Sequence, residues 1–297
     1  MAQKKKSPKS KRLPQEFLSP KNDYVFKRLL GDPAHIDLLQ DFLLSTLDHA
    51  KGEYQSLTVV NPHLPGDYPG DKEGILDVKI LTTSKKVINV EIQVEPFSSL
   101  PERILFYTAN MVTEQIKESE GYDVIKQVTS ILITDHALHK GHKEYHQRFR
   151  LHNDSGNLLF TDKLEIHTLE LPKVPPVSDD TELWKWLRFL AAKTKGDFEM
   201  VSKSSPVMAK AVAVLQELSA DEQARQIAES REKFRRDQDA RWKDAEKRGR
   251  TKGRTEGRVE MIQNMHQKGF TLAQIAKASE LSLAEIKRLI KEPALVD

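Results

Sequence analysis

The chain contains no cysteine among its 297 residues, which excludes disulfide bridges and thiolate metal sites. No apolar run approaches the roughly 20 residues that a membrane-spanning helix requires, and the first residues lack the apolar segment of a secretory signal. We therefore expect a cytoplasmic protein that does not enter a membrane. A chain of this length can bury one large core and carry appended segments.

Acidic and basic residues nearly balance, with a formal net charge of +3, but their distribution is uneven. Residues 1–12 carry six basic residues and no acid, and residues 247–258 carry six basic residues against one glutamate. These two segments together hold +11, so the rest of the chain has a net charge of about −8. Such basic segments are typical of phosphate-binding tails, and equally of solubilising or disordered termini.

Residues 74–95 predict a β-hairpin. The second arm, 88–95, alternates strictly between apolar and polar residues, which is the pattern of a half-buried strand. The tip, Thr-Thr-Ser-Lys-Lys, lacks the Asn-Gly or Asp-Gly pair that would specify its turn, so we infer the register by centring the hairpin on Ser84. That register places Asp77 opposite Glu91.

Two opposed carboxylates have a defined chemical consequence. Directly opposed residues on one face of a sheet have Cβ atoms about 5 Å apart, and like charges there repel. We therefore expect Asp77 and Glu91 to hold a cation or to share a proton. Mg²⁺ prefers oxygen ligands and keeps several waters, so two carboxylates and a substrate phosphate would suit it, and Gln93 on the same face could add an amide oxygen or orient a water. The alternative is an ordinary solvent-facing side of an antiparallel sheet.

The spacing of these residues also resembles a known active site. Asp77, thirteen intervening residues and then Glu91-Ile92-Gln93 resemble the active-site hairpin of the PD-(D/E)XK nuclease superfamily. The glutamine in place of the usual lysine is similar to the Rpn family of recombination-promoting nucleases, which are also described as PD-(D/E)XK family transposases.

Two further blocks carry the resemblance. Residues 19–27, Ser-Pro-Lys-Asn-Asp-Tyr-Val-Phe-Lys, are similar to the family's N-terminal signature, and residues 100–103 followed by Tyr107 are similar to a later block. In the wider superfamily an acidic residue on the first helix often joins the active site. Asp23 holds that position here, although its charge would also suit the dipole of a helix N-terminus. Arg103 and Tyr107 lie four residues apart on a predicted helix, where they could act together on a phosphate or form an ordinary stacked pair.

The resemblance implies an Mg²⁺- or Mn²⁺-dependent DNA endonuclease that hydrolyses phosphodiester bonds and promotes recombination or transposition of mobile DNA. The implied catalytic residues, of which the first three would bind the metal, are Asp77, Glu91, Gln93, Asp23, Arg103 and Tyr107. A catalytically weak or inactive DNA-binding or assembly protein is the alternative, because glutamine cannot carry the charge of the usual lysine. RNA as the substrate and a homodimer are both left open.

The resemblance and the sequence pattern together predict an α/β fold, with a restriction-endonuclease-like mixed central sheet flanked by helices and an α-helical C-terminal tail. We predict helices at 19–30, from Asp32 to about Leu47, at 101–118 and at 180–194, and strands at 57–60, 124–134, 144–152 and 158–169. The expected organisation has four parts: a basic disordered arm (1–15), the nuclease-like domain (16–200), a charged helical and glycine-containing basic linker (201–258) and C-terminal helices (259–297).

The C-terminal region contains two distinctive patterns. Gly249, Gly253 and Gly257 recur every four residues in a basic stretch, and we predict a flexible linker there because each glycine costs a helix about 1 kcal/mol. Three short helices are predicted beyond it, at 259–268, 271–278 and 283–291. Their pattern resembles a helix-turn-helix, whose second helix would enter the major groove, and an oligomerisation tail is the alternative.

A group of histidines comprises His136, His139, His142 and His146. Imidazoles bind zinc, but Gly141 interrupts any helix that would align them and no second cluster accompanies them. The pattern therefore favours a strand near 145–151 over a metal site.

Overall fold

In a computed structural model of the chain, the described residues are 17–47, 51–60, 63–64, 74–75 and 77–291. The predicted basic arm at 1–15 lies outside the described residues. The chain divides into two compact units, with the boundary after Glu232.

The first unit is organised around a mixed β-sheet. The strands are β1 (Thr58–Val60), β2 (His63–Leu64), β3 (Gly74–Ile75), β4 (Val78–Leu81), β5 (Val87–Gln93), β6 (Val128–Thr134), β7 (His146–His152) and β8 (Leu159–Glu170). Within the described residues, six strands form one sheet in the order β1-β4-β5-β6-β8-β7, and β2 pairs with β3 separately. The central strands β5, β6 and β8 run parallel, whereas β1, β4 and β7 join antiparallel.

The helices follow the same chain-order numbering. They are α1 (Asp23–Leu30), α2 (Ile36–Thr46), α3 (Leu100–Thr113), α4 (Glu182–Ala191), α5 (Lys195–Ser202), α6 (Pro206–Ala220), α7 (Glu222–Gln267), α8 (Leu272–Ser279) and α9 (Leu283–Lys291). No helix in the described part of the chain is both long and apolar enough to cross a membrane.

Helices cover both faces of the sheet. On one face, the apolar residues of β4, β5 and β6 join those of α1, α2, α4, α5 and α6 in a single large core, in which Trp184 and Trp186 are packing residues. On the other face, α3 contributes Met111 to a cluster with Val87 and Val128. Because side chains alternate along a strand, Glu91 lies on the same face of β5 as Val87, the face that α3 covers.

This arrangement confirms the predicted fold class. A mixed central sheet flanked by helices and followed by a helical C-terminal region is the restriction-endonuclease-like α/β architecture. The hairpin at the sheet centre and the second hairpin formed by β7 and β8 both occur where the alternating sequence predicts them.

Several predicted boundaries differ from the structure. The first helix begins at Asp23, because Ser19 and Pro20 form a turn in which the Asn22 N–H donates to the Ser19 carbonyl at 3.0 Å. Asn22 is the N-cap, and its side chain accepts from the N–H groups of Tyr24 and Val25. The predicted helix at 101–118 ends at residue 113, and the strand predicted from 124 begins at 128. The helix predicted at 180–194 is α4, which ends at residue 191.

The predicted flexible linker around residues 249–257 is wrong, because α7 continues through all three glycines. Most of its other residues there, arginine, lysine and glutamate, are strong helix formers, and ion pairs four residues apart support it, including Arg248 with Asp244 and Lys252 with Glu256. These contributions offset part of the intrinsic cost of the glycines.

The second unit contains a small core formed by the C-terminal helices. Ile262, Ile275 and Ile286 are fully buried together, each from a different helix. The helix predicted at 259–268 is the C-terminal part of α7, whereas α8 and α9 are separate, as expected. Thr271 caps α8, and Glu280 ends it with a φ of 56°, the left-handed conformation that glycine adopts more easily.

The glycines of α7 allow a direct test of its helical structure. A methyl group at Gly249, Gly253 or Gly257 would have no heavy atom within 4 Å apart from the helix's own backbone. Replacing any of them with alanine should therefore stabilise the helix locally by about 1 kcal/mol. Hydrogen exchange of the amides at 247–258 should slow accordingly.

The matched control is Gly269→Ala. Gly269 has a φ of +85°, so alanine there should destabilise the second unit although its Cβ also meets no neighbour. Equal exchange rates in the parent and in the α7 variants would contradict a continuous helix.

Candidate active site

The register of the central hairpin confirms the sequence-based alignment. Val78 pairs with Val90 and Ile80 pairs with Ile88, so the hairpin is centred on Ser84. Asp77 directly precedes β4 and therefore lies opposite Glu91.

Asp77 is held at the end of the β4–β5 ladder. Its Oδ2 accepts a hydrogen bond of 2.9 Å from the Ile92 N–H, and its Oδ1 lies 3.4 Å from Lys27 Nζ. Burial raises the pKa of Asp77, and the negative charge of Asp23 adds to this effect, while the Ile92 N–H and Lys27 act in the opposite direction.

Glu91 is more deeply buried, with 3% of its surface exposed. Its Oε1 accepts a hydrogen bond of 2.8 Å from Arg103, whereas its Oε2 is buried without a hydrogen-bond partner among the described residues. Burial raises the pKa of Glu91 to about 7, and the charge of Asp77 adds to this, although Arg103 opposes it. A buried, partnerless carboxylate oxygen is costly unless something binds it.

The pair has the properties expected of a cation site. Asp77 and Glu91 both have raised pKa values, so each binds a proton more readily than a free carboxylate would. In the described parts of the chain, no three His, Cys, Asp or Glu side chains lie close enough to hold a metal ion together. The chain thus offers two carboxylates, and Mg²⁺ is commonly held by one or two carboxylates together with waters and substrate phosphates. The donor set fits that ion.

Gln93 lies one alternation beyond Glu91 on the same face of β5. Its Nε2 donates a hydrogen bond of 3.0 Å to the Glu95 carbonyl. This bond orients the amide along its own strand.

Helix α3 brings Arg103 and Tyr107 to the same face of the sheet. Arg103 binds Glu91, and its Cζ lies 5.5 Å from the centre of the Tyr107 ring. Tyr107 also packs against the cluster of Val87, Met111 and Val128. Arg103 is therefore a direct partner of the carboxylate pair, whereas Tyr107 supports Arg103 from an apolar base.

The N-terminal block that resembles the family signature converges on the same end of the sheet. Asp23 lies in the first turn of α1, and its negative charge contributes to the raised pKa of Asp77. Its Oδ2 lies 3.6 Å from a guanidinium nitrogen of Arg231. Lys21 Nζ binds Asp135 at 2.6 Å, just beyond the end of β6.

Lys27 is the residue that the sequence analysis missed. It belongs to the quoted signature, but nothing in the sequence indicates that α1 packs its last turn beside Asp77, fifty residues away.

The histidine group is dispersed. The ring centres of His139 and Phe149 lie 5.1 Å apart. His146 Nε2 forms a hydrogen bond of 2.7 Å with Nδ1 of His167 on the neighbouring strand. His167 in turn contacts Glu165 Oε1 at 2.6 Å, so His146 belongs to a polar network between β7 and β8.

Glu91 and Glu165 are both buried, but their pKa values shift in opposite directions. Replacing each with glutamine should therefore change the free energy of unfolding in opposite directions. Glu91 has a pKa raised above that of an unfolded chain, so its ionisation destabilises the metal-free fold as pH rises from about 4.5 to about 7. Glu91→Gln should therefore increase the free energy of unfolding at pH 8 by about 2 kcal/mol, with little effect at pH 5, where Glu91 is mostly protonated. Urea denaturation in a chelator at both pH values measures this.

Glu165→Gln is the matched control. Burial alone would raise the pKa of Glu165, but hydrogen bonds from His167 and Arg148 outweigh it and lower the pKa to about 2. Its charged form stabilises the fold at every pH above about 4.5, and this contribution is lost only as pH falls through about 2. Glu165→Gln should hence destabilise the protein at pH 8. A destabilising Glu91→Gln at pH 8 would show that the Glu91 carboxylate is satisfied without a cation.

The comparison with known proteins agrees with this geometry. The family model of the PD-(D/E)XK nuclease family transposases matches residues 20–245, which include the hairpin, α1 and α3. Neither the curated proteins nor the solved structures include a significant match to the chain. Because the matched region covers most of the chain and contains the opposed carboxylates at its centre, this protein belongs to the PD-(D/E)XK nuclease family transposases.

Proposed function

We propose that the protein is a metal-dependent DNA endonuclease that hydrolyses phosphodiester bonds at the Asp77–Glu91 pair. The observation that carries this proposal is the buried Glu91 Oε2, which has no hydrogen-bond partner among the described residues and lies beside a second carboxylate with a raised pKa. Family membership supports a nuclease, and the two carboxylates suit Mg²⁺ or Mn²⁺ as the ion.

Each residue of the proposed site would have a distinct role. Asp77 and Glu91 would hold the ion, which when bound acts as a Lewis acid and lowers the pKa of a water. Arg103 offsets part of the charge of Glu91 in the metal-free protein and can turn to a phosphate oxygen once Glu91 has another partner, because guanidinium binds both groups well. Gln93 would orient the attacking water through its amide. Asp23, on α1, would help to keep the pKa of Asp77 raised.

Membership of a family of nuclease-like transposases supports a proposal for the biological setting. We propose that the substrate is cytoplasmic DNA and that cleavage promotes recombination or transposition of mobile DNA. A homodimer would allow both strands of a duplex to be cut.

A catalytically weak DNA-binding or assembly protein is the second candidate. The specific observation in its favour is the uncharged Gln93, whose amide hydrogen-bonds Glu95. Such a protein would keep the carboxylate pair and lose cleavage.

Cleavage of supercoiled plasmid separates these two functions. The parent protein should nick or cut plasmid DNA in Mg²⁺ or Mn²⁺ and not in a chelator. Asp77→Asn and Glu91→Gln should each lower the rate at least about 100-fold, because each removes a charge that holds the ion.

Glu165→Gln again serves as the control, since it changes a buried glutamate of the same sheet outside the pair. Parental cleavage rates in both site variants would place the active site elsewhere. If the parent cleaves RNA but not DNA under the same conditions, the substrate is RNA and the proposed active site still stands.

The C-terminal basic segment is a candidate source of DNA affinity. The basic residues of α7 at 247–258 are exposed, whereas the chain outside this segment and residues 1–12 has a net charge of about −8. A polyanion is therefore repelled by the body of the protein and attracted by these segments. Lys287 and Arg288 on α9 are also exposed.

Charge neutralisation on α7 should reduce the salt dependence of binding. In an Asp77→Asn background that prevents cutting, replacing Arg250, Lys252 and Arg254 with glutamine should weaken duplex binding. The slope of log affinity against log salt should become shallower by up to about 3, because each phosphate contact releases a counterion. Fluorescence anisotropy over a series of salt concentrations measures it.

A control variant with the same change in charge replaces Lys193, Lys203 and Lys210 with glutamine. These three lysines are exposed on the first unit. That variant should keep the parental slope. Equal slopes in all three proteins would assign the C-terminal helices to assembly rather than to DNA binding.

A further inference from the structure

Lys27 brings a positive charge to the carboxylate pair from outside the hairpin. Its Nζ lies 3.4 Å from Asp77 Oδ1, and its charge also acts on Glu91. About one third of its side chain is exposed, so a ligand that enters from solvent can reach it.

Helix α1 holds the backbone of Lys27 in place. Its apolar residues, including Phe26 and Leu30, are completely buried in the main core. The N-cap residue Asn22 also donates a hydrogen bond of 3.0 Å to the Ala228 carbonyl. The base of the Lys27 side chain is consequently fixed, while its ammonium group is held only loosely.

The other cations near the site are engaged more tightly. Arg103 binds Glu91 at 2.8 Å, Lys21 binds Asp135 at 2.6 Å and Lys79 binds Glu114 at 2.6 Å. The Lys27–Asp77 contact of 3.4 Å is longer than each of these. A cation bound by Asp77 would replace this contact at little cost and leave the ammonium group of Lys27 available.

The hairpin itself carries no lysine at the position where the wider superfamily has one. Gln93 occupies it, uncharged and hydrogen-bonded to Glu95. We propose that Lys27 is a catalytic residue that contacts the scissile phosphate and supplies, from α1, the positive charge that Gln93 lacks. This inference rests on the proposed nuclease function.

The chemistry required of Lys27 is electrostatic. In hydrolysis, a water oxygen forms a new bond to phosphorus, the bond from phosphorus to the sugar oxygen breaks, and the proton lost by the water is balanced by one gained by the leaving oxygen. Negative charge grows on the phosphoryl oxygens along this path. An ammonium group beside them stabilises that charge without exchanging a proton.

Two substitutions test the role in cleavage. Lys27→Met keeps most of the side-chain volume and removes the charge, so the rate constant of plasmid cleavage should fall about 100-fold. Lys79→Met is the control, because Lys79 lies on β4 of the same hairpin and pairs with Glu114 outside the site. In the double variant Lys27→Met/Gln93→Lys, a lysine returns to the hairpin and should recover at least about tenfold of the lost rate.

Calorimetric titration with Mg²⁺ distinguishes catalysis from a structural role. Lys27→Met should bind Mg²⁺ at least as tightly as the parent, because a neighbouring positive charge has been removed. A cleavage rate within about threefold of the parent would overturn the proposal. Weaker Mg²⁺ binding in Lys27→Met, or no recovery in the double variant, would also overturn it and make Lys27 a support for Asp77.

A binding measurement tests Lys27 even if the parent cleaves nothing. In the Asp77→Asn background, adding Lys27→Met should make the salt slope of duplex binding shallower by about 1, the value expected for one lost phosphate contact. An unchanged slope overturns the proposal for Lys27. Failure of the parent to cleave any nucleic acid would refute the proposed nuclease function and with it the catalytic role of Lys27, while the slope would still decide whether Lys27 contacts a phosphate.

Discussion

The repulsion between two carboxylates at the centre of a buried sheet is the constraint on which the rest of the site depends. Asp77 and Glu91 are forced together by the register of β4 and β5, and that register is set by the apolar residues on the opposite face. Shifting it by one residue would move those apolar side chains out of the core. The hydrophobic core therefore determines the position of two charges that, by themselves, would separate.

Three distant segments of the chain reduce this repulsion. Arg103 reaches Glu91 from α3, Lys27 reaches Asp77 from α1, and the Ile92 N–H binds Asp77 from within the hairpin. Burial outweighs these contacts and leaves both pKa values raised, with the charge of Asp77 adding to the effect at Glu91, so the charges of the metal-free site are compensated incompletely. Incomplete neutralisation is the physical reason to expect a divalent cation, because a fully satisfied pair would gain little from binding one.

The sequence predicts those features that depend on local pattern. The alternation of 88–95 and the position of Ser84 were sufficient to align Asp77 with Glu91. The start of α1 was predicted three to four residues early, because Ser19-Pro20 satisfies the usual cap pattern, although Asn22 is the residue whose side chain caps the helix. The helical glycines of α7 were missed because propensity counts their cost and not the ion pairs around them. The contact between Lys27 and Asp77 joins residues fifty positions apart, and a single sequence does not encode that distance in any local pattern.

The central claim is that Asp77 and Glu91 form one cation site whose occupancy displaces a proton. Calorimetric titration of Mn²⁺ into the metal-free protein at pH 6.5, repeated in buffers with different ionisation enthalpies, counts the protons released on binding. The account predicts one site, release of close to one proton, and the loss of that release in Glu91→Gln. Binding with no proton release would contradict it, and so would binding to Asp77→Asn and Glu91→Gln that is as tight as binding to the parent.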